Sequence, residues 1–291
     1  MDKNKKAHKR VFFVLIVFVI ALILASVLYF RFRSTELKAE GYLLLRAPEH
    51  DSKLILLDAS TGEVTPTNAY GYQACFAGSS DKFLIYSFDL LECFDEKTGS
   101  DVWTCEIPGN PSWLGFVYAG GSFVSTVVSD QLQLINMDTD ERTIIREDEG
   151  LGPMHDWSAD GKTVYYSVFD FDVQSEKIYK YNVDSCEEAY LFDGESPSVS
   201  ADGSRIAFSR NSALVVKDLV TGKEWTYHKF PRYVKEYCIS PDGKYVAIVT
   251  EQFPNFLADT VLIWDFANNQ TLTLLKDYPS GHCWGLDWFE Q

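Results

Sequence analysis

The chain has 291 residues, 46% hydrophobic and 15% aromatic, which excludes a disordered polymer and leaves room for one large domain. Its net charge of −16 is uneven: residues 1–33 hold seven basic side chains and one acidic one, and taking these from totals of 26 and 42 leaves 19 against 41, a formal charge of −22 on the remainder. A body this acidic repels phosphate backbones, so nucleic acid is not an expected partner.

The first ten residues carry Lys3, Lys5, Lys6, Lys9 and Arg10, and the next 20, Val11 to Phe30, are apolar except for Ser26. As a helix at ~1.5 Å per residue this run spans ~30 Å, the thickness of a bilayer core. The basic excess before it keeps the N-terminus in the cytoplasm. The run exceeds the ~7–15 apolar residues of a cleaved signal, and Leu24-Ala25-Ser26-Val27 offers no small-x-small site, so it reads as an uncleaved anchor. The expected organisation is a cytoplasmic tail over 1–10, a transmembrane helix over 11–30, a stalk over 31–40 and an extracytoplasmic domain over 41–291. A ten-residue tail is too short to fold.

From residue 41 onward the sequence repeats. Asp58-Ala-Ser-Thr-Gly62, Asp95-Glu-Lys-Thr-Gly99 and Asp218-Leu-Val-Thr-Gly222 each follow an apolar strand. Asn136 to Asp140, Asn182 to Cys186 and Asp265 to Asn269 align with them without a gap. Asp or Asn at the first position bonds forward to the turn backbone, and Gly, Asn or Asp at the last tolerates a positive φ. A second turn lies upstream in each unit, clearest in Ser158-Ala-Asp-Gly-Lys162, Ser200-Ala-Asp-Gly-Ser204 and Ser240-Pro-Asp-Gly-Lys244. Β-rich runs follow these turns at Thr163 to Val168, Arg205 to Ser209 and Tyr245 to Thr250. The hairpin turns recur at a spacing that brackets the ~40–45-residue, four-stranded blade of a propeller.

The chain ends give the closure. The first unit opens on Tyr42 to Arg46, which matches the second strand of a blade. Leu286 to Gln291 matches a first strand, because Asp287-Trp288 aligns with Asp156-Trp157. The C-terminal strand should therefore complete the blade begun at Tyr42, leaving no open seam. The expected fold is all-β: a six-bladed β-propeller closed by the C-terminal strand and preceded by one transmembrane helix.

Three motifs resemble known propeller repeats. Ser240 to Lys244, with the turn that follows, is similar to the TolB-type repeat. Leu262-Ile-Trp-Asp265 resembles the Trp-Asp dipeptide of WD-repeat propellers. Asp95 to Trp103 looks like a quinoprotein-type repeat. These resemblances cover roughly residues 41–291 and imply the fold; they say little about activity.

Propeller function usually lies on one face near the axis. With the Asp-Gly and Thr-Gly turns on the lower face, the opposite loops carry the aromatic candidates Tyr72, Trp113, Tyr233, Phe256 and Trp284, with His282 beside them. Such rings suit a protein segment or a glycan; alternatively they pack between blades. The acidic loops Asp170-Phe171-Asp172 and Glu147-Asp148-Glu149 lack a calcium-loop pattern and read as solvated. His155 and His282 lack zinc-ligand spacing and read as polar lining of the channel. No cofactor or metal motif is present. Neither Gly-x-Ser-x-Gly nor His-Glu-x-x-His occurs. With Asp95 opposite Ser100, Cys93 should face Val102 and Cys105 the other side, so the cysteines are expected to be free and mostly buried. The sequence thus favours a non-catalytic binding module anchored in the plasma membrane with its propeller outside. The alternative is a hydrolase or lyase acting on an envelope polymer.

Overall fold

A computed structural model describes residues 39–47, 53–71, 73–77, 79–87, 90–107, 116–118, 122–227, 234–251, 258–279 and 286–289. Among these residues no helix is long and apolar enough to cross a membrane; the expected span over 11–30 lies outside them.

Blade 1 takes β1 (Tyr42–Ala47), β2 (Lys53–Asp58) and β3 (Val64–Tyr70). Blade 2 holds β4 (Gln73–Phe76), β5 (Lys82–Ser87), β6 (Leu90–Asp95) and β7 (Ser100–Glu106). Blade 3 holds β8 (Phe116–Tyr118), β9 (Phe123–Val128), β10 (Gln131–Asn136) and β11 (Arg142–Glu147). Blade 4 is built from β12 (Leu151–Trp157), β13 (Thr163–Asp170), β14 (Ser175–Asn182) and β15 (Glu187–Asp193). Blade 5 follows with β16 (Glu195–Val199), β17 (Arg205–Arg210), β18 (Ala213–Asp218) and β19 (Glu224–Thr226). Blade 6 has β20 (Val234–Ile239), β21 (Tyr245–Glu251), β22 (Ala258–Asp265) and β23 (Gln270–Pro279), and the last strand is β24 (Asp287–Phe289). All six sheets are antiparallel, four-stranded and in sequence order, except that β24 occupies the inner edge of blade 1. It pairs with β1 through Tyr42↔Phe289, Leu43↔Trp288 and Leu44↔Asp287, the closure expected from the repeated Asp-Trp pair. The innermost strands β4, β8, β12, β16, β20 and β24 each touch the next one around the ring.

Local chemistry explains the hairpins. In all six outer turns the leading carboxylate or amide accepts a forward backbone N–H, from Thr61 at Asp58, Thr98 at Asp95, Thr139 at Asn136, Ser185 at Asn182, Thr221 at Asp218 and Asn268 at Asp265. Each turn closes on a residue with positive φ: Gly62, Gly99, Asp140, Cys186, Gly222 and Asn269. Cys186 is the one without the usual tolerance for that conformation. In the inner turns the Ser158, Ser200 and Ser240 hydroxyls accept from Thr163, Arg205 and Tyr245 N–H while donating to Asp160, Asp202 and Asp242.

Burial is greatest in the second strands and least at the rim. The second strands are enclosed on both faces by neighbouring blades, so β21 reads as a continuous apolar run with Val246, Ala247, Ile248 and Val249 fully buried. The outermost strand β15 is exposed over its first four residues. Between blades 2 and 3, Cys75, Leu84, Leu91, Cys93 and Cys105 pack with Val124, Val128 and Ile135.

That cluster corrects the expected placement of Cys105. A bulge between Cys93 and Phe94 shifts the register, so Cys93 faces Trp103 and Leu91 faces Cys105. The inserted residue returns Cys105 to the face of Cys93. The two are diagonal neighbours, at a typical separation of about 7–8 Å that a disulfide does not bridge. Both thiols are free, as are Cys75, Cys186 and Cys238; Cys186 alone of these is exposed.

Candidate functional site

Tyr72, Trp113, Tyr233, Phe256, His282 and Trp284 all lie outside the described residues. The structure describes the inner strands around the axis and the upper strand ends.

One level of the inner strands carries a repeated bonding pattern. The residue opposite Tyr165 in blade 4 is Asp156, and the equivalent residues are Ser198 opposite Ala207 in blade 5 and Asp287 opposite Leu44 in blade 1. Each reaches the backbone of the next blade. Asp156 accepts from Val199 N–H at 2.7 Å, Ser198 from Ile239 N–H at 3.1 Å, and Asp287 from Phe76 N–H at 2.8 Å. Both aspartates also accept from the following tryptophan, Trp157 N–H and Trp288 N–H. Glu236 closes the junction between blades 6 and 1 by accepting from Leu286 N–H at 2.9 Å. At four of the six junctions the inner strands are thus joined side chain to backbone, in addition to the apolar packing between sheets.

Electrostatics follow from this depth. Burial pushes the Asp156 carboxyl up to about 7 and the Asp287 carboxyl up to about 6; for Asp156, the charge of Asp287 adds to the rise while its backbone donors oppose it. The two stand three blades apart, on opposite sides of the ring. Each retains some exposed area although protein surrounds it closely, so burial sets an upper bound on these shifts.

Two further features lie at the upper strand ends. Lys235 Nζ sits 2.8 Å from Asp259 Oδ1 and 3.4 Å from Glu251 Oε1, a row across β20, β21 and β22. Asp259 is fully buried, and the lysine supplies the counter-charge such a group needs. Glu176, at the start of β14, is pushed up to about 7 by burial and then by the charge of Glu195.

His155 does not line the axis as expected. It is 2% exposed, with Nε2 2.7 Å from Ser125 Oγ, which also accepts from Trp157 Nε1 at 2.6 Å. The ring fills the junction between blades 3 and 4, and burial pushes its pKa down to about 4. Trp103, the residue behind the quinoprotein-type resemblance, donates from Nε1 to Asp140 of the next blade at 3.0 Å. Among the aromatics of the upper loops, Tyr70 and Phe171 are described and are 52% and 57% exposed. No group of three or more His, Cys, Asp or Glu suited to a metal ion occurs among the described residues.

Sequence reasoning used the Asp-Trp pairs to align repeats and missed their bonds to the next blade. The signal was the polar residue two positions before the Ser in two of the three clear Asp-Gly turns, Asp156 before Ser158 and Ser198 before Ser200; the third has Cys238 there.

No protein-family model matches this sequence, and no curated protein matches it. Its backbone is similar to a chain of a nidogen/laminin complex, at 13% identity and a TM-score of 0.64 over 85% of this chain and 97% of that one. It is also similar to a putative TolB from Agrobacterium tumefaciens, at 16% identity and 0.60 over 82% and 90%. A third similarity is to Kuenenia stuttgartiensis hydrazine synthase, at 15% identity and 0.53 over 70% of this chain and 65% of that one. Identities this low establish the fold, and the three neighbours differ in what they do.

Proposed function

We propose that this protein is a non-catalytic binding module of the cell envelope, with 11–30 as its single membrane anchor, the N-terminus in the cytoplasm and the propeller outside. Its partner is a protein or a glycan held on the upper face. One observation carries the choice of binding over catalysis. Two of the titratable groups on the inner strands, Asp156 and Asp287, make the blade-to-blade bond that Ser198 makes without titrating. Their position in the repeat therefore has a structural use that needs no proton transfer. Upper-face exposure of Phe171 and Tyr70 supplies the aromatic area that recognition uses.

The competing reading, a hydrolase or lyase for an envelope polymer, draws on the raised carboxyl pKa values, since such groups cluster at active sites. Chemical cross-linking of the full chain in its native membrane, followed by identification of the attached molecule, tests the proposal. A partner retained by the Asp156→Asn/Asp287→Asn variant is the expected result. Failure to trap any partner, together with polymer cleavage that this variant abolishes, would replace binding by catalysis.

A further inference from the structure

The connections between second and third strands differ sharply from blade to blade. In blade 3 the link is Ser129-Asp130, and in blade 5 it is Asn211-Ser212; all four residues have positive φ, the two-residue hairpin form. Blade 4 instead uses Phe171-Asp172-Val173-Gln174. Phe171 is 57% exposed and Val173 61%. A hairpin does not need them, since its neighbours turn with two polar residues.

The tip is held firmly nonetheless. Asp170 Oδ1 accepts from Asp172 and Val173 N–H, at 2.9 and 3.2 Å, and Gln174 Nε2 donates to Phe171 O at 2.7 Å. Lys177 Nζ clamps Asp170 Oδ2 at 2.5 Å, and the Phe171 ring rests edge-on against Phe169 with centroids 5.0 Å apart. Ordering two apolar side chains in water is unfavourable unless something covers them, whereas a preorganised apolar tip loses little entropy on docking. On the neighbouring edge strand the Tyr190 hydroxyl donates to Asp193, which lies opposite Lys177.

Charge selects the occupant. Asp172 and Asp193 border the tip, and the segment from Glu147, at the end of β11, through Glu149 runs beside it, where Phe169 N–H meets Gly150 O at 2.7 Å. These four acids are exposed, and none has an ion-pair partner among the described residues. The nearby cations are already engaged, Arg146 with Asp148 and Glu188, Lys177 with Asp170, and Arg210 with Glu224. An apolar knuckle inside a negative field favours a positively charged ligand and disfavours anionic lipid or a second copy of this acidic body.

We infer that the blade 4 tip docks a cationic peptide segment that carries an aliphatic or aromatic anchor. The inference rests on the partner-binding reading and names the class of partner. The test is fluorescence anisotropy with the full chain and three labelled ten-residue peptides: alternating Lys and Leu, alternating Lys and Ser, and alternating Glu and Leu. Binding of the Lys–Leu peptide is expected to weaken about tenfold in Phe171→Ser/Val173→Ser and about tenfold in Glu149→Lys/Asp172→Lys. Both variants should keep the wild-type melting temperature, because the substituted side chains are exposed. Unchanged Lys–Leu binding in Phe171→Ser/Val173→Ser overturns the inference, as does equal affinity for the Lys–Ser or Glu–Leu peptide. Self-association that this variant abolishes would identify a second copy as the occupant and also overturn it. A cross-linked partner retained by Phe171→Ser/Val173→Ser removes the tip and leaves the binding reading standing; tip binding without any native partner does the reverse.

Discussion

Replacing Asp156 by Asn should make the protein relatively more stable as pH rises. The ordinary carboxyl pKa of 3.8 becomes about 7 in the fold because burial disfavours the charged form. The folded state therefore holds this proton more tightly than the unfolded chain. That contribution is fully present below the unfolded pKa and is lost as pH rises through the folded one. At ~1.4 kcal/mol per pKa unit the loss between pH 4 and pH 8 is at most about 4 kcal/mol, an upper bound because Asp156 keeps some exposed area. His155 complicates either curve taken by itself: its pKa is depressed to about 4, so its contribution is present above its unfolded pKa and fades as pH falls. Comparing variant with wild type at each pH cancels the histidine. Urea unfolding followed by tryptophan fluorescence at pH 4, 6 and 8 gives both stabilities. The stability of Asp156→Asn minus that of wild type should rise steadily across this range. The same difference at pH 4 and pH 8 would refute the reasoning, since Asp156 would then ionise as readily folded as unfolded. Asp287→Asn should behave alike, with a smaller rise of at most about 3 kcal/mol, because its folded pKa is about 6.

Three further outcomes are expected. Trp288→Ala removes a ring that is 6% exposed and whose Nε1 donates to Glu40 O; it should cost about 3–5 kcal/mol and appear as a large drop in the urea midpoint. Cys186 closes its turn at φ 56°, so Cys186→Gly should raise stability by about 1 kcal/mol through relief of that conformation, read from the melting temperature. Gly194 links β15 to β16, and a Cβ there would meet Phe208 Cδ2 at 2.5 Å; Gly194→Ala should destabilise by about 1–3 kcal/mol in the same assay.

Much of the propeller could be read without coordinates because its instructions are local. An Asp or Asn that bonds two or three residues ahead, followed by a residue that tolerates positive φ, makes a hairpin in whichever blade it occurs. Six copies at blade spacing fix the repeat, and the Asp-Trp pair that the C-terminus shares with blade 4 identifies the closing strand. Other features depended on partners distant in the chain. The Asp156 to Val199 bond spans 43 residues and the Asp287 to Phe76 bond 211, and nothing in the dipeptide itself tells which backbone group it meets. One inserted residue at the Cys93 bulge reversed the face of Cys105, since side chains alternate with period two and a single bulge inverts every position beyond it. Phe169 and Phe171 stand two residues apart in one hairpin, yet Phe171 is the more exposed. Composition treats the two rings alike; strand pairing and the fold of the tip decide which of them is offered to solvent.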